Sequence, residues 1–269
     1  MVFTYKEEDM AGKLALLKKK NGIATITINS PKTYNALSPS VIAAVVKTLQ
    51  KVQNDPAIRV VILTGAGKAF CAGGNLDDIE EMVTSSRTRN YIFDIAAIVN
   101  LIVDMPKPVI AMVNGIAAGA GFNLALACDI IFCARSARFA QSFVKLGLIA
   151  SCGATYFVPR AVGLYRAKEI MFTGDFIDAE RVVLSGLANR VVDDGKLQEE
   201  TYKFAEKLTR GAPLAIGLMK KVMNHNVKQD FQTLLELEVG IQSLCVESED
   251  HKEGIAAVRG KRPPVFKGR

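Results

Sequence analysis

Tryptophan is absent from this chain, and histidine occurs only twice, at His225 and His251. Two scattered histidines leave a histidine-rich metal centre, or a nucleophile activated by histidine, resting on a single side chain, so neither chemistry is a leading reading and no metal is expected. Cysteine is sparse and odd in number: Cys71, Cys128, Cys133, Cys152 and Cys245 show no C-x-x-C spacing and mostly sit inside apolar runs. They read as buried thiols of a reducing compartment. The opening MVFTYKEEDMAGK is charged from its sixth residue and lacks the apolar stretch of a secretory leader, so a cytoplasmic protein is expected. Also missing are the G-x-x-x-x-G-K-S/T of a phosphate loop and the G-x-G-x-x-G of a dinucleotide site. No RNA-recognition aromatic motif or finger spacing is present either.

What the chain does have is length and apolar content. Its 269 residues are enough for a large core, and 49% hydrophobic with 23% charged residues is a globular composition. A mean hydropathy of +0.19 leans towards buried subunit contacts, so an oligomer is expected. The formal net charge of +7 suits nucleic acid, a membrane surface or an anionic ligand equally. The lysines gather at Lys18 to Lys20, at Lys220 and Lys221, and in the tail GKRPPVFKGR, and such runs are usually solvated faces.

Along the chain, two β-rich runs flank Asn21-Gly22, a strong hairpin signal. Ser38-Pro39 opens a helix to about Gln53 with Val41, Ala44, Val45 and Leu49 on one face. RVVILTGAG from Arg59 predicts a buried strand, a polar helix follows from Leu76 to about Thr88, and a second helix ends before Pro106. KPVIAMVNG is the next buried strand, GIAAGAGFNLALAC opens a helix, and DIIFCA is another strand. Beyond that the pattern is mostly helical. The apolar stretch from Val109 to Ala134 contains a G-x-x-x-G, but its glycines, Asn114, Asn123 and Asp129 argue for a strand-turn-helix in a core and against a membrane span.

Two places share one design, a buried strand running into a turn of small residues: VVILTGAGKAFCAGGNL and VIAMVNGIAAGAGFNL. Small residues let a ligand approach the backbone, and a helix that starts at such a turn leaves N–H groups unpaired. One glycine-rich loop alone usually means only a turn or tight packing. Two of them can converge into a pair of donors for a developing oxyanion.

These residues resemble the enoyl-CoA hydratase/isomerase (crotonase) family. It shows K-A-F-C-A-G-x-x-L, here Lys68 to Leu76, and K-P-V-I-A-x-V-N-G-x-A-x-G-x-G, here Lys107 to Gly121. The likeness runs on through CDIIFCARSARFAQSFVKLGL, GLANRVVDD and EGIAAVRGKRPPVF, nearly the whole chain. It implies an α/β fold, a spiral of β-β-α units over residues 1–195 that carries the acyl-CoA site, with a helical region over 196–269 that assembles trimers or hexamers. It implies an acyl-CoA thioester as substrate and no cofactor beyond the coenzyme A that the substrate carries. By motif position the oxyanion donors fall on Gly74 and Ala120, flanked by Gly73 and Gly121, and since both act through backbone N–H, alanine keeps the donor. The loop Asn35, Ala36 and Leu37 would take the adenine side, with Lys68 and Ala72 along the path.

The family's hydratases place two glutamates where this chain has Asn123 and Phe143, and the similar epoxyphenylacetyl-CoA isomerase branch has an aspartate where this chain has Ser151. Hydration needs groups that deliver a proton and position hydroxide, which none of these three can do. The expectation is an isomerase-like enzyme in which Asn123 and Ser151 orient substrate or water and Phe143 lines the acyl pocket. Decarboxylation is the alternative, because losing carbon dioxide makes an enolate without a base; a thioester-binding protein with little turnover is another, and RNA binding a third. Asp77, Asp78, Glu80 and Glu81 read as a solvated helix face, and Asp129 as a structural turn residue.

Overall fold

The protein is described here by a computed structural model covering residues 13–81, 84–225 and 230–269. Strand β1 (Ala15–Lys20) turns back into β2 (Ile23–Ile28) through Asn21 and Gly22, both at positive φ (51° and 76°), the geometry that a two-residue hairpin requires. The lysines of β1 leave it as a charged sheet edge, which discourages pairing with other chains. Helix α1 (Pro39–Gln53) starts where the Ser38 side chain accepts from the Val41 N–H and proline occupies the first turn. It buries Val41, Ile42, Ala44, Val45, Leu49 and Val52, of which each valine, isoleucine and leucine contributes about 1.5 to 3 kcal/mol by leaving water.

The chain then winds in repeated turns. Strands β3 (Val60–Gly65) and β4 (Ala69–Cys71) lead to α2 (Leu76–Glu80) and α3 (Ser85–Asp104); β5 (Val109–Val113) and β6 (Ile116–Ala118) lead to α4 (Ala120–Ala127). Strands β7 (Ile130–Ala134) and β8 (Arg138–Ala140) lead to α5 (Ala154–Val162) and α6 (Leu164–Thr173), before β9 (Ile177–Asp178), α7 (Ala179–Leu184) and β10 (Arg190–Val192). In each turn the first strand joins a six-stranded sheet ordered β1-β2-β3-β5-β7-β10, and the second joins a four-stranded sheet ordered β4-β6-β8-β9. All pairs are parallel except β1 with β2 and β8 with β9. This is the expected spiral of β-β-α units. The central strands β3 and β5 are buried at every position, as a parallel sheet covered on both faces demands.

Local pattern reading misses two features of this winding. Strands β4, β6 and β8 have three residues each, too few for a period of two to register. The polar helix expected from Leu76 to Thr88 is not continuous: α2 ends at Glu80, and α3 begins afresh at Ser85, where the Thr84 side chain accepts from the Arg87 N–H. The apolar run from Val109 to Ala134 resolves into β5, β6, α4 and β7, and among the described residues no helix is long and apolar enough to cross a membrane.

Beyond residue 196 the chain is helical: α8 (Leu197–Thr209), α9 (Pro213–His225), α10 (Phe231–Glu247) and α11 (Glu249–Arg259). Helix α8 packs on the large sheet through Leu197, Thr201 and Ala205, and the Tyr202 hydroxyl bonds that of Thr25. Helix α9 is tied to the core by Lys220, whose Nζ donates to the Ile102 carbonyl (2.8 Å) and to Asp129 Oδ2 (2.7 Å). Asp129 Oδ2 also accepts the Val109 N–H (2.7 Å), the structural turn role expected of it. Helix α10 by contrast buries none of its residues.

Candidate active site

Parallel pairing of β4 with β6 sets Cys71 beside Ala117, so the segments leaving the two strands run side by side. Their approach depends on glycine at two points. A Cβ on Gly121 would lie 2.0 Å from the Cys71 carbonyl oxygen, and one on Gly73, whose φ is +96°, would lie 2.7 Å from the Ala118 oxygen and 3.3 Å from the Ala120 nitrogen. The two turns therefore touch through bare backbone. Ala120 opens α4, with its N–H at the positive end of the helix, and Gly74 lies in the adjoining segment. Among the described residues neither the Gly74 nor the Ala120 N–H has a hydrogen-bond partner. Backbone N–H groups left free at such a meeting of turns are of the kind that can donate to an oxyanion.

The loop ahead of α1 supports the first turn. The Leu37 N–H donates to the Gly73 carbonyl (2.8 Å) and the Ala72 N–H to the Tyr34 carbonyl (3.0 Å). Asn35 is fully buried: its Oδ1 accepts the Ser30 N–H (2.9 Å), and its Nδ2 donates to the carbonyls of Ala66 (2.9 Å) and Ala69 (2.8 Å). Its side chain thus ties the loop together, and Ala36 and Leu37 are buried beside it. Lys68 is exposed and Ala72 half-buried, so these two face outward along the first turn.

Behind the second turn lies a buried amide network. Asn123, one helical turn after Ala120, donates from Nδ2 to the Ser151 carbonyl (2.8 Å) and accepts at Oδ1 from Gln141 Nε2 (2.7 Å). Both amides are fully buried, and Gln141 Oε1 has no partner among the described residues. The Asn123 side chain is therefore held on both sides, and Ser151 joins through its backbone while its hydroxyl lies 3.5 Å from Cys152 Sγ. Phe143 sets its ring 3.7 Å from the Cβ position of Gly119, with Ser142 Oγ at 3.6 Å, an apolar wall beside the Ala120 amide. Gln141 was not singled out in the sequence; its one signal is its place two residues before Phe143 in the same motif.

Three groups near the first turn have shifted acidities. Burial pushes the Cys71 thiol up to about 12 and the Tyr91 hydroxyl up to about 12. Asp78 is raised by burial first and by Glu81 and Asp77 next, and its Oδ2 is enclosed without a hydrogen-bond partner among the described residues. Asp77, Glu80 and Glu81 are exposed, as a solvated helix face should be, but Asp78 departs from that reading.

A family model described as enoyl-CoA hydratase/isomerase matches residues 18–269. The chain belongs to this family. It is 37% identical over 257 residues to the 1,2-epoxyphenylacetyl-CoA isomerase of Escherichia coli, covering 93% of this chain and 97% of that protein. It is 35% identical to the short-chain-enoyl-CoA hydratase of Clostridium acetobutylicum, covering 92% and 95% of the two chains. The crystal structure of an enoyl-CoA hydratase from Bacillus anthracis superposes with a TM-score of 0.91 at 32% identity, covering 95% of this chain and all of that one. Relatives of this family thus include both isomerases and hydratases, and its members are enzymes acting on acyl thioesters. What this chain does within the family turns on the groups around the paired amides.

Proposed function

We propose that this enzyme holds an acyl-CoA thioester carbonyl between the Gly74 and Ala120 N–H groups and rearranges the acyl chain through the stabilised enolate, as an isomerase does. The observation that carries this reading is the pair of unpartnered amides beside a neutral polar network, in which Asn123 is bonded to Gln141 and to the Ser151 carbonyl. Amides aimed at a developing oxyanion act most strongly in a site that excludes water, and removing one such donor typically costs about 100- to 1000-fold in rate. A hydratase needs two ionisable groups that this network lacks. The proton moved in an isomerisation still needs a carrier, and Asp78 suits it: half-buried, with one enclosed oxygen that has no partner among the described residues and its acidity already weakened.

A second reading, decarboxylation, rests on Phe143, whose ring would press against a carboxylate and favour its loss as carbon dioxide. The deciding experiment is mass spectrometry of the products from enoyl-, epoxyphenylacetyl- and malonyl-type CoA thioesters. An isomerase returns product of unchanged mass but with a new chromatographic retention time and fragment pattern, a decarboxylase loses carbon dioxide, a hydratase gains water, and a protein that only binds thioesters returns them with mass, retention and fragments all unchanged. Crotonyl-CoA hydration should stay well below the enzyme median of roughly 10 per second. Hydration above that rate would overturn the neutral-site reading.

The enzyme is further proposed to assemble as a trimer or a pair of trimers through its C-terminal helices. Support comes from α10, which buries nothing within its own chain while exposing Phe231, Leu237, Val239 and Leu244. We place it in the cytoplasm, in keeping with five free thiols.

A further inference from the structure

We infer that Tyr91 is the positioning residue of the first oxyanion donor, aiming the Gly74 N–H by inserting its hydroxyl into the backbone pairing that flanks it. The inference rests on the proposed role of the Gly74 amide. Leu37 and Gly74 form an isolated parallel bridge, anchored on one side by the Leu37 N–H donating to the Gly73 carbonyl at 2.8 Å. On the other side, a regular parallel ladder has the residue after Gly74 donate to the Leu37 carbonyl. Here the Tyr91 hydroxyl stands between them: it donates to the Leu37 carbonyl at 2.6 Å and accepts the Asn75 N–H at 3.2 Å. One hydroxyl thus uses its donor and an acceptor lone pair to bridge both strands.

This insertion has a geometric consequence for Gly74. The peptide before it is fixed through the Gly73 carbonyl and the peptide after it through the Asn75 N–H, so the plane that carries the Gly74 N–H has little freedom to rotate. The hydroxyl sits 3.2 Å from the Cβ position of Gly74, with Ile79 Cδ1 closer still at 2.7 Å, so both side chains pack tightly against this stretch of bare backbone. Tyr91 itself is held: its ring is buried in the middle of α3, with the enclosed carboxylate of Asp78 close enough to help raise the hydroxyl's pKa. Such a group does not touch the substrate. It determines whether a donor points at the oxyanion, and donor placement is where small displacements become large rate losses.

The test is Tyr91→Phe, which keeps the ring in its buried seat and removes only the hydroxyl. Infrared difference spectra of bound butyryl-CoA labelled with carbon-13 at the thioester carbonyl report the polarisation that the two amides impose. In the wild type this stretch should move to lower frequency on binding. In Tyr91→Phe the displacement should shrink, with kcat falling about 10- to 100-fold on the substrate that the wild type turns over and KM changing less than about threefold. A Tyr91→Phe enzyme with wild-type carbonyl displacement and kcat would show that the hydroxyl only fills space, and the inference would fall. Wild-type protein that binds butyryl-CoA with no carbonyl displacement would instead remove the underlying role of Gly74, and this inference with it. If Tyr91→Phe does not fold, 4-aminophenylalanine at position 91 keeps a para donor to Leu37 but accepts poorly from Asn75; an intermediate displacement supports the inference and an unchanged one overturns it.

Discussion

At the scale of single residues, the site separates groups that hold shape from groups available for chemistry. Asn123 matches the position of a family glutamate, yet its amide is bonded at both ends and fully buried, so it stiffens the floor behind Ala120. Asp78 is the reverse case. In the sequence it is one acid of a charged run; in the structure its Oδ2 is enclosed and has no hydrogen-bond partner among the described residues, while Asp77, Glu80 and Glu81 face solvent. If Asp78 carries the proton, Asp78→Asn should lower kcat by about 100- to 10,000-fold and leave acyl-CoA affinity nearly unchanged. The wild-type acid limb of kcat/KM should then lie above the ordinary carboxylate value of 3.8, because burial disfavours the charged form. Turnover of Asp78→Asn within a few-fold of wild type would assign the proton to another group. The sequence could not separate these four acids, because nothing in a charged run says which member faces inward.

At the scale of elements, the short helix α4 shows how the fold sets up the chemistry. Apart from Asn123 it is apolar, and it is almost completely buried, with the Phe122 and Phe139 ring centroids 5.0 Å apart, so its N-terminus is held in place by packing around it. The C-terminal tail is held differently. Glu253 accepts from Arg262 at both oxygens (2.6 and 2.8 Å) and from the Val265 N–H (2.8 Å), and Asp250 accepts the N–H groups of Lys267 and Gly268. The Arg262 guanidinium, and then the Val265 N–H, hold the Glu253 carboxyl down from 4.5 to about 2. A depressed carboxyl gives its full contribution above its unfolded pKa and loses it as pH falls through the folded one. Tail docking should therefore be intact above pH 4.5 and drain away towards pH 2. The amide nitrogen shift of Val265, followed through this range by NMR, should titrate with a midpoint near 2; a midpoint near 4.5 would mean that the tail does not engage Glu253 in solution.

For the whole molecule, the division of labour between the two halves shapes how it assembles. The spiral buries its own sheets, and α8 closes one face of the larger one, whereas α10 makes its main contacts with its neighbours α9 and α11 among the described elements and keeps an apolar surface exposed. Light scattering at micromolar concentration should report about three or six times the 29.1 kDa chain mass, and a monomer at that mass would refute the assembly. Much of this fold was legible in the residues themselves. The Asn21-Gly22 hairpin, the Ser38-capped helix, the buried strands and the two small-residue turns follow from local chemistry, because turn geometry, caps and continuous apolar runs need no distant partner. The motifs at Lys68–Leu76 and Lys107–Gly121 carried the family, since close backbone approach there admits only small side chains. What tertiary structure alone decided was partnership. Three-residue strands exist only because neighbours in the second sheet pair with them, and the turns that carry Gly74 and Ala120 run together only because β4 and β6 lie side by side. Tyr91 reaches Asn75 in the first turn from 16 positions away, Gln141 reaches Asn123 from 18, and Tyr91 also bonds Leu37 from 54. Such contacts depend on where the spiral returns the backbone, a global property that no local pattern encodes.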